Sequence, residues 1–261
     1  MRAFLFPGQG SQAVGMGKAL AEASAAAREV FEEVDEALSQ PLFRLMTEGP
    51  EDMLTLTENA QPAIMAHALA VLRVLEREGG IRLADKADYV AGHSLGEYSA
   101  LCAAGALPLA TTAQLLKRRG QAMQSAVPVG EGAMAALLGA DLAKAEAIAG
   151  AAADAVYTDT GTRPVCTIAN DNDPSQVVIS GHRAAVEKAV ALAKEMGAKR
   201  GVLLPVSAPF HCPLMQPAAD AMEAALAEAD LAAPLVPVFA NVTAAAVADP
   251  GAIRRLLVEQ V

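Results

Sequence analysis

The chain has 261 residues, 53% of them apolar and 19% charged, which excludes a disordered segment and leaves ample material for a buried core. With 20 basic and 30 acidic residues the net charge is −10, the wrong sign for a protein that grips a nucleic-acid backbone. No apolar run approaches the roughly 18 residues of a membrane helix, and the N-terminal apolar stretch breaks at Pro7-Gly8 before it could serve as a signal peptide. Cys102, Cys166 and Cys212 stand far apart, in no metal or redox spacing. The expectation is a soluble cytoplasmic protein with no membrane contact, no nucleic-acid partner and no metal.

Strand and helix signals alternate along the first half. Ala3–Phe6 reads as a short strand closed by Pro7 and a glycine-rich loop from Gly8 to Gly17. A helix follows over Arg28–Leu38, with Val30, Phe31, Val34 and Leu38 at helical spacing. The next begins at Pro62, a residue suited to a first helical turn, and stops at Gly79-Gly80. Asp88–Gly92 reads as a buried strand, followed by a helix to Ala104 and another over Thr111–Ala126. This alternation predicts an α/β layer with a largely parallel sheet.

Between Val129 and Pro205 the rhythm changes. Strand Ala133–Leu138, helix Leu142–Ala152, strands Pro164–Ala169 and Gln176–Ser180, helix Ala184–Met196 and strand Lys199–Leu204 form a βαββαβ series, the ferredoxin-like order. The pattern predicts a small domain (residues 129–205) inserted into a larger one (1–128 and 206–261). The larger one resumes with a helix over Pro217–Ala229 and a strand over Val236–Asn241. A capped helix opening at Asp249-Pro250 runs to Val261 without a stop signal, which predicts native sequence beyond it.

Gly92-His93-Ser94-Leu95-Gly96 matches G-x-S-x-G and lies between a predicted strand and a predicted helix, the setting of a nucleophile elbow. Glycines are needed there because the turn leaves no room for side chains beside the serine. The backbone N–H of Leu95 then opens a helix N-terminus, where an oxyanion can sit. The bland alternative is a chance Gly-Ser turn.

A serine nucleophile needs a base, and the chain holds 4 histidines. His67 falls inside a helix, His93 points away from its neighbour Ser94, and His182 sits where a turn or cap role suffices. By elimination the base is His211, in the proline-braced loop Pro209-Phe210-His211-Cys212-Pro213. Cys212, adjacent to His211, reads as an inert thiol.

Arg119 projects from the apolar stripe of its helix, since its helical neighbours are Leu115, Leu116, Ala122 and Met123. A guanidinium there must find an anion, either a protein carboxylate or one on the substrate. The loop Gly8-Gln9-Gly10-Ser11-Gln12 fits neither familiar phosphate-binding pattern, but Gln12 could offer a donor to a site.

Four segments in order now become recognisable: Phe6-Pro-Gly-Gln-Gly-Ser-Gln12, Gly92-His-Ser-Leu-Gly-Glu97, Arg119-Gly-Gln-Ala-Met123 and Pro209-Phe-His-Cys-Pro-Leu-Met215. With them the chain resembles, over its whole length, the malonyl-CoA:acyl carrier protein transacylases of bacterial fatty acid synthesis. The resemblance implies an α/β-hydrolase-like larger domain with a ferredoxin-like subdomain. It implies Ser94 as nucleophile, His211 as general base, Arg119 as the clamp on the malonyl carboxylate, and Gln12 with the Leu95 N–H as oxyanion hole. Gln61 and Asn172 match positions lining the family's active site, and His93 fits the motif beside the serine. Phe210 resembles malonyl rather than methylmalonyl enzymes.

Malonyl-CoA is then the substrate, acyl carrier protein the partner, and no tightly bound cofactor is implied. Lys117/Arg118 and Lys194/Lys199/Arg200 are candidate docking patches for that acidic carrier. Members of the family continue past the point where this chain stops, and their histidine is oriented by a backbone carbonyl from that later region. The alternatives are a serine hydrolase using the same Ser94–His211 pair, and a binding module that has lost turnover.

Overall fold

The computed structural model describes residues 1–261. In chain order the elements are strand β1 (Ala3–Phe6), helices α1 (Lys18–Ala23), α2 (Ala25–Leu38), α3 (Leu42–Glu48), α4 (Glu51–Thr55), α5 (Thr57–Arg77) and α6 (Leu83–Lys86), strand β2 (Tyr89–Gly92), and helices α7 (Leu95–Ala103) and α8 (Leu109–Ser125). There follow β3 (Gly132–Leu138), α9 (Leu142–Thr160), β4 (Cys166–Asp173), β5 (Gln176–His182), α10 (Arg183–Leu192) and β6 (Arg200–Leu203). After a 3₁₀ turn at Pro213–Met215 come α11 (Gln216–Glu228), β7 (Val238–Ala240), β8 (Ala245–Val247) and α12 (Pro250–Glu259).

The chain forms two compact units, one of Met1–Gln121 with Asp220–Gln260, the other of Ala122–Ala219 with Val261. Their borders fall inside α8 and α11, several residues outside the 129–205 span read from the pattern of elements.

In the first unit the sheet order is β1-β2-β7-β8. β1 and β7 flank β2 in parallel, and β8 returns antiparallel on β7. Alternation sets the face: Phe6, Val90, Val238 and Ala240 are buried, and α7 packs on β1, β2 and β7. Helix α2 starts at Ala25 because Ser24 caps it, accepting the Ala27 N–H at 3.2 Å. It buries Val30, Phe31 and Val34, and Phe31 stacks on Phe43 of α3 with ring centroids 4.3 Å apart.

Helix α5 departs from the reading. It opens at Thr57, so Pro62 lies inside it rather than at its start. Side-chain hydrogen bonds hold the extra turn: Gln61 donates to Thr57 Oγ1 at 2.9 Å within the helix, Asn59 donates to the Met53 carbonyl at 2.9 Å, and Thr57 makes a tertiary bond, donating to Gln9 Oε1 at 3.0 Å. Proline at the sixth position removes one N–H while these contacts fix the turn around it. Strand β8 and the short helices α1, α3, α4 and α6 were not foreseen, being too brief for a periodic signal.

The second unit has sheet order β4-β5-β3-β6, with every neighbouring pair antiparallel. Together with α9 and α10 this is the βαββαβ arrangement expected. Ala135, Leu137, Val177 and Ile179 on one sheet face pack with Ile148, Ala149 and Ala152 of α9 and Val186 of α10. The many alanines let helix and sheet approach closely. Helix α9 runs on to Thr160, past the expected end at Ala152, and stops where Gly161 takes φ 74° and donates to the Tyr157 carbonyl. Helix α10 ends at Leu192, four residues short of the expected Met196.

Leu137 is fully buried in that core, so Leu137→Ala should destabilise the second unit by about 2–5 kcal/mol. Urea unfolding followed by circular dichroism, with the slope m compared between the two proteins, measures the loss.

Candidate active site

Strand β2 ends at Gly92 and α7 begins at Leu95, leaving two residues to reverse the chain. Ser94 takes φ 53°, ψ −110°, a conformation that L-residues rarely adopt. The turn closes through the Gly96 N–H, which donates to the His93 carbonyl at 2.9 Å, and the Glu97 N–H, which donates to the Ser94 carbonyl at 3.0 Å. A Cβ at Gly92 would collide with the Gly96 carbonyl, and one at Gly96 with the Phe6 carbonyl. Both glycines are therefore required by close backbone approach, as the sequence pattern implied.

Asn241, just beyond β7, bridges the two ends of this turn. Its Nδ2 donates to the Gly92 carbonyl at 2.7 Å, and its Oδ1 accepts the Ser94 N–H at 2.7 Å. The backbone N–H of Asn241 donates to Glu97 Oε2 at 3.0 Å. Two segments distant in sequence are thereby locked around one serine.

Below the turn lies Arg119 of α8, only 1% exposed. Its Nη1 donates to Gln61 Oε1 at 2.9 Å; its Nη2 donates to Gln260 Oε1 at 2.9 Å and to Ser94 Oγ at 3.1 Å. Nε is buried with no acceptor, and the Tyr98 ring lies 5.7 Å from the guanidinium carbon. The anion foreseen for this residue is not in direct contact: its partners are two amides and a hydroxyl.

Glu97 supplies a carboxylate at one remove, through the Gln260 amide, whose Nε2 donates to Glu97 Oε2 at 2.7 Å and to the Ser94 carbonyl at 3.1 Å. Burial pushes the Glu97 carboxyl up, while the Asn241 N–H, the Gln260 amide and the Arg119 charge pull it back. Burial likewise pushes Arg119 down and the Tyr98 phenol up to about 12.

The other residues singled out fall as follows. Leu95 opens α7, where the first backbone N–H groups have no partner within the helix. In the loop after β1, Gln12 Oε1 accepts the Gly10 N–H at 2.8 Å, which leaves its NH₂ end to donate elsewhere. The His93 imidazole packs against the backbone of Gly8, where an added Cβ would lie 2.7 Å from Nδ1. Ser94, Leu95, Arg119, Gln61, Gln12 and His93 all belong to the first unit.

His211 and Asn172 belong to the second. His211 holds a positive φ of 56°, between the buried Phe210 and a Cys212 whose Sγ–H donates to the Pro209 carbonyl at 3.1 Å. Burial raises the Cys212 thiol, in keeping with an unreactive role. Asn172 lies at an irregularity of β4, between the residues paired with Val177 and Gln176. His182 caps α10 and accepts the Val165 N–H on Nδ1 at 2.9 Å, and His67 is half-buried in α5. Lys117, offered above as a docking residue, is instead engaged by Glu58 Oε2 at 2.9 Å and Asn59 Oδ1 at 3.0 Å.

Asn241 and Gln260 were missed. Asn241 had a positional signal, since sites gather beyond the carboxyl ends of parallel strands. Gln260, near the end of an amphipathic helix, had none.

Residues 3–255 match the acyl transferase domain family. A malonyl CoA-acyl carrier protein transacylase of Bacillus subtilis strain 168 is 48% identical over 258 residues, spanning 99% of this chain and 78% of its own length. The chain belongs to the malonyl CoA-acyl carrier protein transacylase family. Among solved transacylase structures, the acyl-carrier-protein S-malonyltransferase of Bartonella henselae superposes with TM-score 0.94 at 56% identity, covering 100% of this chain and 81% of its own. A malonyl-transacylase solved in complex with a type II PKS acyl-carrier protein gives TM-score 0.91 at 40% identity, covering 99% and 80%. These likenesses bear out the fold expected of a transacylase from the sequence, and no helix is long and apolar enough to cross a membrane.

Asn241→Ala removes both hydrogen bonds that span the serine turn. It should slow labelling of Ser94 by a fluorophosphonate about tenfold, as expected when 1–2 kcal/mol of positioning is lost. Comparing labelling rates of parent and variant measures it.

Proposed function

We propose that this chain transfers the malonyl group of malonyl-CoA to the phosphopantetheine thiol of acyl carrier protein, through a malonyl ester on Ser94. The observation that carries the reading is the Ser94 hydroxyl on a strained strand-to-helix turn, 3.1 Å from a buried guanidinium suited to a carboxylate-bearing acyl group. Family membership supplies the substrate and the acceptor.

His211 takes the proton as Ser94 Oγ attacks the thioester carbonyl. The tetrahedral oxyanion is stabilised by the Leu95 N–H and the Gln12 amide, each contributing about 3 kcal/mol in the transition state. Collapse breaks the C–S bond, and His211 returns the proton to the departing coenzyme A thiolate. In the second half the carrier's thiol gives its proton to His211 and attacks the ester, and His211 passes that proton to the Ser94 oxygen as it leaves. Arg119 holds the malonyl carboxylate, Gln61, Asn172 and His93 line the substrate site, and the chemistry asks for no resident cofactor.

The exposed residues Lys194, Lys199 and Arg200 offer the acidic carrier a basic patch. We take residues 129–205 as an inserted subdomain, a reading supported by their separate antiparallel sheet. Such a protein works in the cytoplasm, where coenzyme A thioesters are made and used.

Intact-protein mass spectrometry after brief exposure to malonyl-CoA tests the reading. One malonyl adduct that needs Ser94 and clears on adding carrier protein is expected; steady release of coenzyme A without an adduct would instead mean hydrolysis. Arg119→Ala should lower the malonyl-to-acetyl ratio of kcat/KM by about ten- to a hundredfold, measured with both thioesters.

A further inference from the structure

Arg119 poses an electrostatic problem that its direct contacts do not solve. A guanidinium 1% exposed lies among uncharged acceptors, so its charge needs compensation from further away. Glu97 is the one acidic side chain among the chain's buried residues, also 1% exposed, and the charges of Glu97 and Arg119 stabilise each other. Yet the two do not close into an ion pair. The Gln260 amide stands between them, its Oε1 2.9 Å from Arg119 Nη2 and its Nε2 2.7 Å from Glu97 Oε2. Turned end for end, the amide would face donor to donor and acceptor to acceptor, so its orientation is fixed by both neighbours.

We propose that Gln260 and Glu97 are positioning residues for the carboxylate-bearing acyl group: Glu97 is the resident counter-charge, and Gln260 holds it one amide away from Arg119. This rests on the malonyl-transfer reading. A carboxylate in direct contact would occupy the guanidinium fork bidentately, and a substrate carboxylate could bind only by breaking a buried pair. Without any carboxylate the fork would lie uncompensated in the free protein. The interposed amide avoids both outcomes. It leaves Nε without an acceptor and Nη2 bonded only to neutral oxygens, groups that a carboxylate can displace.

The test moves the charge and keeps the groups. In the double variant Glu97→Gln/Gln260→Glu the net charge and the number of hydrogen-bonding side chains are preserved, but the carboxylate now faces Arg119 directly. Steady-state kinetics with malonyl-CoA and acetyl-CoA should show the ratio of malonyl KM to acetyl KM rising about tenfold or more. A ratio within twofold of the parent's would overturn the proposal, because a merely structural role affects both thioesters alike.

Should the double variant fail to fold, Glu97→Gln alone decides. Removal of the counter-charge leaves the substrate carboxylate as the sole compensation, so the same KM ratio should fall at least about threefold. An unchanged or raised ratio would overturn the proposal. Failure of the underlying reading looks different: the parent itself would then form no malonyl adduct on Ser94.

Discussion

A guanidinium held almost wholly out of water constrains everything built around it. Arg119 cannot shed its charge, so the fold must surround it with oxygens whose orientation is fixed in advance. They come from three directions: Gln61 from the second turn of α5, Ser94 from the turn between β2 and α7, and Gln260 from the residue after α12. The Tyr98 ring covers another side. The polar chain continues outward from Gln61 through Thr57 to Gln9, reaching the loop that follows β1. One buried charge thus ties helices and loops distant in sequence into a single hydrogen-bonded unit, in which loss of any member leaves another desolvated.

The same network bears the strain of the serine turn. A serine at φ 53° is disfavoured by about 1–3 kcal/mol and persists only where its surroundings over-determine it. Asn241 provides that determination by holding the Gly92 carbonyl and the Ser94 N–H at once, while its own N–H is anchored on Glu97. Gln260 adds a third tie, donating to the Ser94 carbonyl. Because β2 and β7 run parallel, both deliver their carboxyl ends to one edge of the sheet, which is why Asn241 can reach a turn 147 residues earlier. Topology, turn strain and electrostatics are three descriptions of one arrangement.

The sequence made much of this legible. The spacing of glycines around Ser94 disclosed the turn, because only a close backbone approach explains glycines at positions 92 and 96. The apolar neighbours of Arg119 disclosed its burial, because a helical wheel is a local property. What stayed hidden was long-range. Asn241 and Gln260 are ordinary amides until the sheet and α12 bring them to the turn, and no periodicity marks an amide as a bridge. Thr57 likewise begins α5 for a tertiary reason, so the reading from Pro62 missed a turn. The partner of Arg119 shows the limit well: burial required an anion, but whether that anion touches the guanidinium or stands behind an amide is decided only in three dimensions.

On the malonyl-transfer reading, the bond from Arg119 Nη2 to Ser94 Oγ has a consequence for the order of events. In the free protein the hydroxyl oxygen accepts from a cation, which engages a lone pair the attack needs and lowers its nucleophilicity. A substrate carboxylate competes for the same donor with full negative charge, and charge-assisted bonds are roughly twice as strong as those to neutral groups. With Arg119 as the carboxylate clamp proposed above, the guanidinium would exchange the hydroxyl for the carboxylate when a malonyl group enters, and the serine oxygen would be released as the thioester arrives. An acetyl group brings no such competitor and leaves the hydroxyl engaged. Selectivity then resides in activation of the nucleophile as well as in binding, which is the differential stabilisation that raises kcat rather than merely lowering KM. It also follows that Arg119 must be held by neutral oxygens in the free protein, since only bonds weaker than the one a carboxylate offers can be exchanged on binding.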